Sequence, residues 1–193
     1  AVLLKNENNI LPLKEDKKIL IVGDMAKSVR YQGSGSSHVN PTNLEHPIDY
    51  LGKYQYAQGC DTDGETTEEL LSDLHTKAKE ADAVVVFAGL PSKYESEGFD
   101  REHMKMPKGH IEMIETAAKA NENTIVVLLC GSAVECPWTD DAKAILYMGL
   151  PGQGAGQACY NLLFGKTNPS GKLSESWPYS YSDVVSSSYY SKS

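Results

Sequence analysis

The acidic side chains of one short segment are the groups in this chain best suited to chemistry. The segment is Tyr94-Glu95-Ser96-Glu97-Gly98-Phe99-Asp100-Arg101. It follows the apolar run Ala83-Val84-Val85-Val86-Phe87-Ala88-Gly89-Leu90 and precedes Pro107, where a helical pattern opens. In α/β folds, loops at the carboxyl ends of parallel strands are where reactive groups are placed. Carboxyl groups beside a glycine and an aromatic ring suit acid/base work. Cleavage of a glycosidic bond is the example that needs a pair of them, one to donate a proton and one to act as nucleophile or base. Arg101 next to Asp100 predicts an ion pair that holds the loop and leaves Glu95 or Glu97 free. On composition alone, a solvated charge cluster is the plainer account.

Other motifs offer less. Gly33-Ser34-Gly35-Ser36-Ser37 lies in the loop after the first strand pattern. A dinucleotide fingerprint needs its glycines directly after the strand, with a helix opening on them. Here the glycines come late and His38 stands at the sixth position, so nucleotide binding is disfavoured. A tight loop that faces a polyhydroxylated ligand with amides and hydroxyls is one reading, and a plain turn is the other. Gly165-Lys166-Thr167 resembles the end of a P-loop, but Tyr160 stands where the first glycine belongs and the segment follows a helical pattern. The histidines are scattered; His103 and His110 flank Pro107 without ligand spacing and read as surface residues. The cysteines at 60, 130, 136 and 159 form no Cys-x-x-Cys pair and no zinc-ligand pattern. They read as buried free thiols, with disulfides open only to an exported parent. No metal or cofactor is expected.

The elements that must position the acidic loop alternate strand and helix. Strand patterns cover 18–23, 54–58, 83–88, 124–129 and 143–147; helical patterns cover 43–51, 66–80, 107–120 and 153–164. The strands are continuously apolar, so both faces are covered. The expected fold is a three-layer α/β/α sandwich with a mostly parallel sheet. Ser170-Gly171-Lys172-Leu173 is expected to begin a truncated last edge strand, and 179–193 to form an irregular tail. The 193 residues suffice for one domain with a core, and 40% hydrophobic with 23% charged residues is ordinary for a globular protein. A formal net charge of -8 argues against nucleic acid or an anionic membrane as partner. No apolar stretch approaches the roughly 20 residues that span a bilayer. The opening Ala1-Val2-Leu3-Leu4-Lys5-Asn6 has no Met and already reads as domain interior, so the chain is expected to be a fragment of a longer parent.

Several segments together resemble one family. Val2-Leu3-Leu4-Lys5-Asn6-Glu7 with Leu11-Pro12-Leu13, Ile21-Val22-Gly23, the Gly33 to Ser37 loop, and Glu97-Gly98-Phe99-Asp100-Arg101 come first. Val134-Glu135, Pro137-Trp138 and Pro151-Gly152-Gln153 follow. The series ends with Leu163-Phe164-Gly165-Lys166-Thr167-Asn168-Pro169-Ser170-Gly171-Lys172-Leu173 and Trp177-Pro178. In this order they are similar to the carboxyl-terminal α/β sandwich domain of glycoside hydrolase family 3, the β-glucosidase-type enzymes. The resemblance implies a retaining, exo-acting β-glycosidase whose barrel domain, missing here, carries an aspartate nucleophile. The general acid/base it implies is Glu97, with Glu95 as rival; Ser36 would contact the sugar, and Asp100 and Arg101 would support the loop. Glycoside or oligosaccharide is the implied substrate, with no cofactor. Where members often have Gly-Gln-Glu-Gly-Gly, this chain has Gly152-Gln153-Gly154-Ala155-Gly156, a departure expected to touch packing. Ser182-Asp183-Val184 is no convincing substitute for the nucleophile, so the chain alone is expected to be inactive. The competing reading is a non-catalytic carbohydrate-binding or interaction module.

Overall fold

A computed structural model describes residues 1–189; positions 190–193 of the expected tail lie outside the described residues. In chain order the elements are β1 (Val2–Asn6), β2 (Ile19–Val22), α1 (Pro47–Leu51), β3 (Gln55–Ala57), α2 (Glu68–Glu80), β4 (Ala83–Gly89), α3 (Lys108–Ala120), β5 (Thr124–Leu129), β6 (Ala144–Tyr147) and α4 (Ala155–Leu163). The sheet order is β1-β6-β5-β4-β2-β3, parallel throughout except for β1, which pairs antiparallel with β6. The expected three-layer α/β sandwich is therefore present.

Strand alternation divides the core into two halves. Leu20, Val22, Val84, Val86, Val126 and Leu128 pack with Leu74 and Ala78 of α2 and with Met113, Ile114 and Ala117 of α3. Ile19, Ile21, Val85, Phe87, Ile125 and Val127 pack on the other face with Leu51 of α1 and with Ala155, Cys159 and Leu163 of α4. Because successive strand side chains point to opposite faces, unbroken apolar runs are what a doubly covered sheet requires. The starts of the helices follow from local chemistry. The Thr67 hydroxyl accepts the Leu70 amide at 3.3 Å and caps α2, and Pro107 stands immediately before α3.

Three sequence expectations are corrected. Val2–Asn6, which lies outside the strand patterns of the sequence, is an edge strand: β1 pairs with β6 through an irregular register between Leu3 and Lys5. Ser170-Gly171-Lys172-Leu173 forms no strand; Gly171 donates its amide to the Ala1 carbonyl at 2.9 Å, and the edge that segment might have extended is already occupied by β1. The β5–β6 connection, which has no helical pattern, contains no helix, and the buried Trp138 fills that part of the layer. His110 is not a surface residue but is 1% exposed on α3. The free cysteines match expectation, with Cys60, Cys130 and Cys159 buried and Cys136 half-buried. Burial pushes the thiols of Cys60, Cys136 and Cys159 up to about 12, and that of Cys130 higher still.

His110 sits beneath the end of β4, with Nδ1 2.9 Å from the Gly89 carbonyl oxygen. Burial pushes its pKa down to about 4, against the opposing pull of that carbonyl. The unfolded imidazole, near 6.5, takes up a proton that the folded one refuses. Stability is thus complete above about pH 6.5 and is lost as pH falls toward 4, by about 3 kcal/mol over the window. In urea titrations from pH 7 to 4, the wild-type midpoint should fall more steeply than that of His110→Gln; parallel curves would contradict this.

Candidate functional site

Strands β2 and β4 are neighbours, yet the chain leaves them in opposite directions, β2 toward β3 and β4 toward β5. Loops diverge at such a switch point, leaving a crevice outside the carboxyl ends of the strands, the usual ligand position in open α/β sheets. The glycine-rich segment after β2 and the acidic segment after β4 are the two loops that meet there.

Arg30 ties them together. It is 8% exposed and donates Nη1 to the Leu90 carbonyl at 2.5 Å, Nη2 to the Glu95 carbonyl at 2.7 Å and Nε to the Gln32 carbonyl at 3.2 Å. Gln32 then closes the glycine-rich loop like a clasp: its Nε2 donates to the Val39 carbonyl at 2.8 Å, and its Oε1 accepts the Val39 amide at 3.0 Å.

The two glutamates have different environments. Glu95 turns inward, its side chain 19% exposed. Oε2 accepts the Gly131 amide at 2.9 Å and lies 3.6 Å from Arg30 Nη2; Oε1 accepts the Ser132 hydroxyl at 2.5 Å. Both oxygens are therefore occupied in joining the acidic loop to the loop after β5. Glu97 is exposed. Its amide donates to the Ser34 carbonyl at 3.2 Å, and its Oε2 accepts the Ser36 amide at 2.6 Å. The Ser36 hydroxyl and amide hold its carboxyl below the usual glutamate range.

The expected Asp100–Arg101 ion pair is not among the salt bridges of the described residues. Arg101 turns inward, donating Nη1 to the Ser132 hydroxyl at 2.8 Å and to the Ala133 carbonyl at 2.9 Å. The loop after β5 offers these acceptors, whereas Asp100 lies exposed to water. The fold thus brings Glu97 to Ser36, and Glu95 and Arg101 to Ser132, and leaves Asp100 apart. Asp183 accepts the Ser180 amide at 2.9 Å and caps a short 3-10 turn. Among the described residues, no three His, Cys, Asp or Glu side chains are grouped to hold a metal ion.

Residues passed over in the sequence are Arg30, Gln32 and the Gly131-Ser132 pair. The pair had a legible signal, a Gly-Ser step at the carboxyl end of a buried strand. Arg30 had none, because its partners are backbone carbonyls supplied by the fold.

Comparison with known proteins identifies the family of the fold. The sequence model described as the glycosyl hydrolase family 3 C-terminal domain matches residues 1–193. The chain belongs to this family. The family 3 domain is 46% identical over 186 residues to thermostable beta-glucosidase B of Acetivibrio thermocellus, covering 92% of the chain and 24% of that protein. It is 41% identical over 197 residues to an exo-alpha-(1->6)-L-arabinopyranosidase of Bifidobacterium longum, covering 94% and 26%. The crystal structure of a Bifidobacterium adolescentis GH3 beta-glucosidase superposes with a TM-score of 0.90 at 41% identity, over 94% of this chain and 28% of that one. The domain spans about a quarter of the length of the curated relatives it matches. The variant stretch at Gly152 to Gly156 in this family 3 domain packs α4 on the start of α1: a Cβ on Gly156 would lie 2.5 Å from the His46 carbonyl oxygen.

The inequality of the glutamates gives a stability test. Glu95→Ala leaves Arg30 buried beside an emptied site and should cost about 2 kcal/mol, below the full loss for a buried pair because the carboxylate is partly exposed. Glu97→Ala, at an exposed loop tip, should stay within about 0.5 kcal/mol of wild type. Equal losses in chemical denaturation would refute the assignment.

Proposed function

We propose that this domain supplies the general acid/base of a retaining, exo-acting β-glycosidase, with Glu97 as that group. One observation carries the reading: Glu97 is exposed at the switch-point crevice with a carboxylate oxygen uncommitted among the described residues, while both oxygens of its rival Glu95 are engaged. Ser36 borders the same carboxylate, in keeping with a role against the sugar, and Arg101 holds the loop from behind.

A retaining enzyme needs a second carboxyl group about 5 Å from the first, to attack the anomeric carbon. Glu95 is engaged by Arg30 and Ser132, and Asp183 caps its own turn, so neither is free to serve. The nucleophile is assigned to the upstream barrel of the parent. In the first step Glu97 gives its proton to the leaving oxygen while the barrel aspartate bonds to the anomeric carbon. In the second, Glu97 takes a proton from the water that displaces the aspartate. Acid function near neutral pH needs a raised pKa, the reverse of the direction in this chain. Desolvation at a closed domain interface is the influence that would raise it. Terminal β-glucosides are the default substrate; the relatives' names include both a glucosidase and an arabinopyranosidase, so the sugar is set elsewhere in the parent.

In the full-length parent, Glu97→Gly should lower turnover of a poor-leaving-group glucoside by about 10²–10⁴-fold. Azide should restore turnover of an aryl glucoside and give the β-glucosyl azide. Undiminished turnover would point to a non-catalytic module. The 193-residue chain alone should release no p-nitrophenol from an aryl β-glucoside; release that disappears in Glu97→Ala would contradict the need for the barrel.

A further inference from the structure

We infer that the Gly35-Ser36 turn is the seat of Glu97, and that the backbone of this turn positions the carboxyl group for proton transfer, beyond any contact that Ser36 makes with sugar. The inference rests on the assignment of Glu97 as acid/base.

The two loops meet through a reciprocal pair of bonds. The Glu97 amide donates to the Ser34 carbonyl, and the Ser36 amide donates to Glu97 Oε2. The bond to Oε2 fixes the carboxyl group against the turn. The fit is close: Gly35 has φ +100, and a Cβ there would lie 2.5 Å from Glu97 Cβ and 2.8 Å from Oε2. Only glycine suits both the backbone conformation and the space. The acidic loop offers Glu97 little support of its own. Gly98 follows at φ +93 with nothing within 4 Å of a Cβ. The seat itself is held by the Gln32 clasp and by the His38 amide, which donates to the Gly35 carbonyl at 3.2 Å.

The groups facing Glu97 are neutral on the glycine-rich side, apart from His38 two positions beyond Ser36. On its own loop, Glu95 is engaged by Arg30 and Ser132, and Asp100 faces water. The Ser36 hydroxyl and amide are thus the principal local influence on the Glu97 proton, and they favour the ionised form. In the parent, Ser36 and interface desolvation would pull in opposite directions, keeping the group able to both give and take a proton.

The seat is tested first in the chain itself, by carboxyl-carbon NMR titration of Glu97. Wild type should titrate below an ordinary glutamate. Gly35→Ala, whose Cβ would push the carboxyl group off the Ser36 amide, should move the titration up, with the amide spectrum as a check on folding; Ser36→Ala, which keeps that amide, should move it less. An unmoved or lowered titration in Gly35→Ala overturns the inference. In the full-length parent, the alkaline limb of the kcat/KM profile, which reports the free enzyme, should move to higher pH in Gly35→Ala. A lowered kcat/KM with an unmoved limb would make the turn a scaffold only and overturn the positioning role. Glu97→Gln separates the two ideas: if it leaves turnover of poor leaving groups intact, the acid/base assignment fails, while the NMR titration still decides whether the seat exists.

Discussion

The site depends on one buried cation. Arg30 leaves the segment after β2, reaches the end of β4, and spends its guanidinium on the carbonyls of Leu90, Glu95 and Gln32. A buried guanidinium is costly unless its donors are satisfied and a counter-charge lies near. Glu95 supplies that charge at 3.6 Å, and it can do so because Gly131 and Ser132 fix its carboxylate. Three loops from three adjacent strands are thereby locked together. Glu97 and Ser36 face each other because of contacts made beneath them.

The topology explains why this cross-link falls where it does. A parallel sheet puts every strand's exit on one edge, and the reversal of winding between β2 and β4 opens that edge. Diverging loops do not support each other through sheet hydrogen bonds, so the crevice has to be held by side chains. A planar group with several donors suits a task that joins backbone carbonyls from different segments. On the sheet side the same region is rigid, with Phe87, Ala88 and Leu90 fully buried.

Much of this was legible in the sequence. Val84 to Ala88 and Ile125 to Leu128 have no polar side chain on either face, which states directly that helices cover both. The acidic loop was legible because Glu95, Glu97 and Asp100 gather at the exit of a buried strand. The division of labour among those carboxylates was not, since it turns on the amides of Gly131 and Ser36. Backbone groups carry no sequence signature. The same reason hid the partner of Arg101, which adjacency suggested was Asp100. His110 was misread because its spacing was judged for ligation, whereas its place on the inner face of α3 was decided by packing.

The cysteines give the fold a built-in record of its own opening. Cys60 and Cys130 lie in the core half under α2 and α3, Cys159 in the half under α1 and α4. Thiols this deeply protonated and enclosed do not react with an alkylating reagent until the structure around them opens. The order in which they become labelled therefore reports which side of the sheet comes undone first, without any probe being introduced.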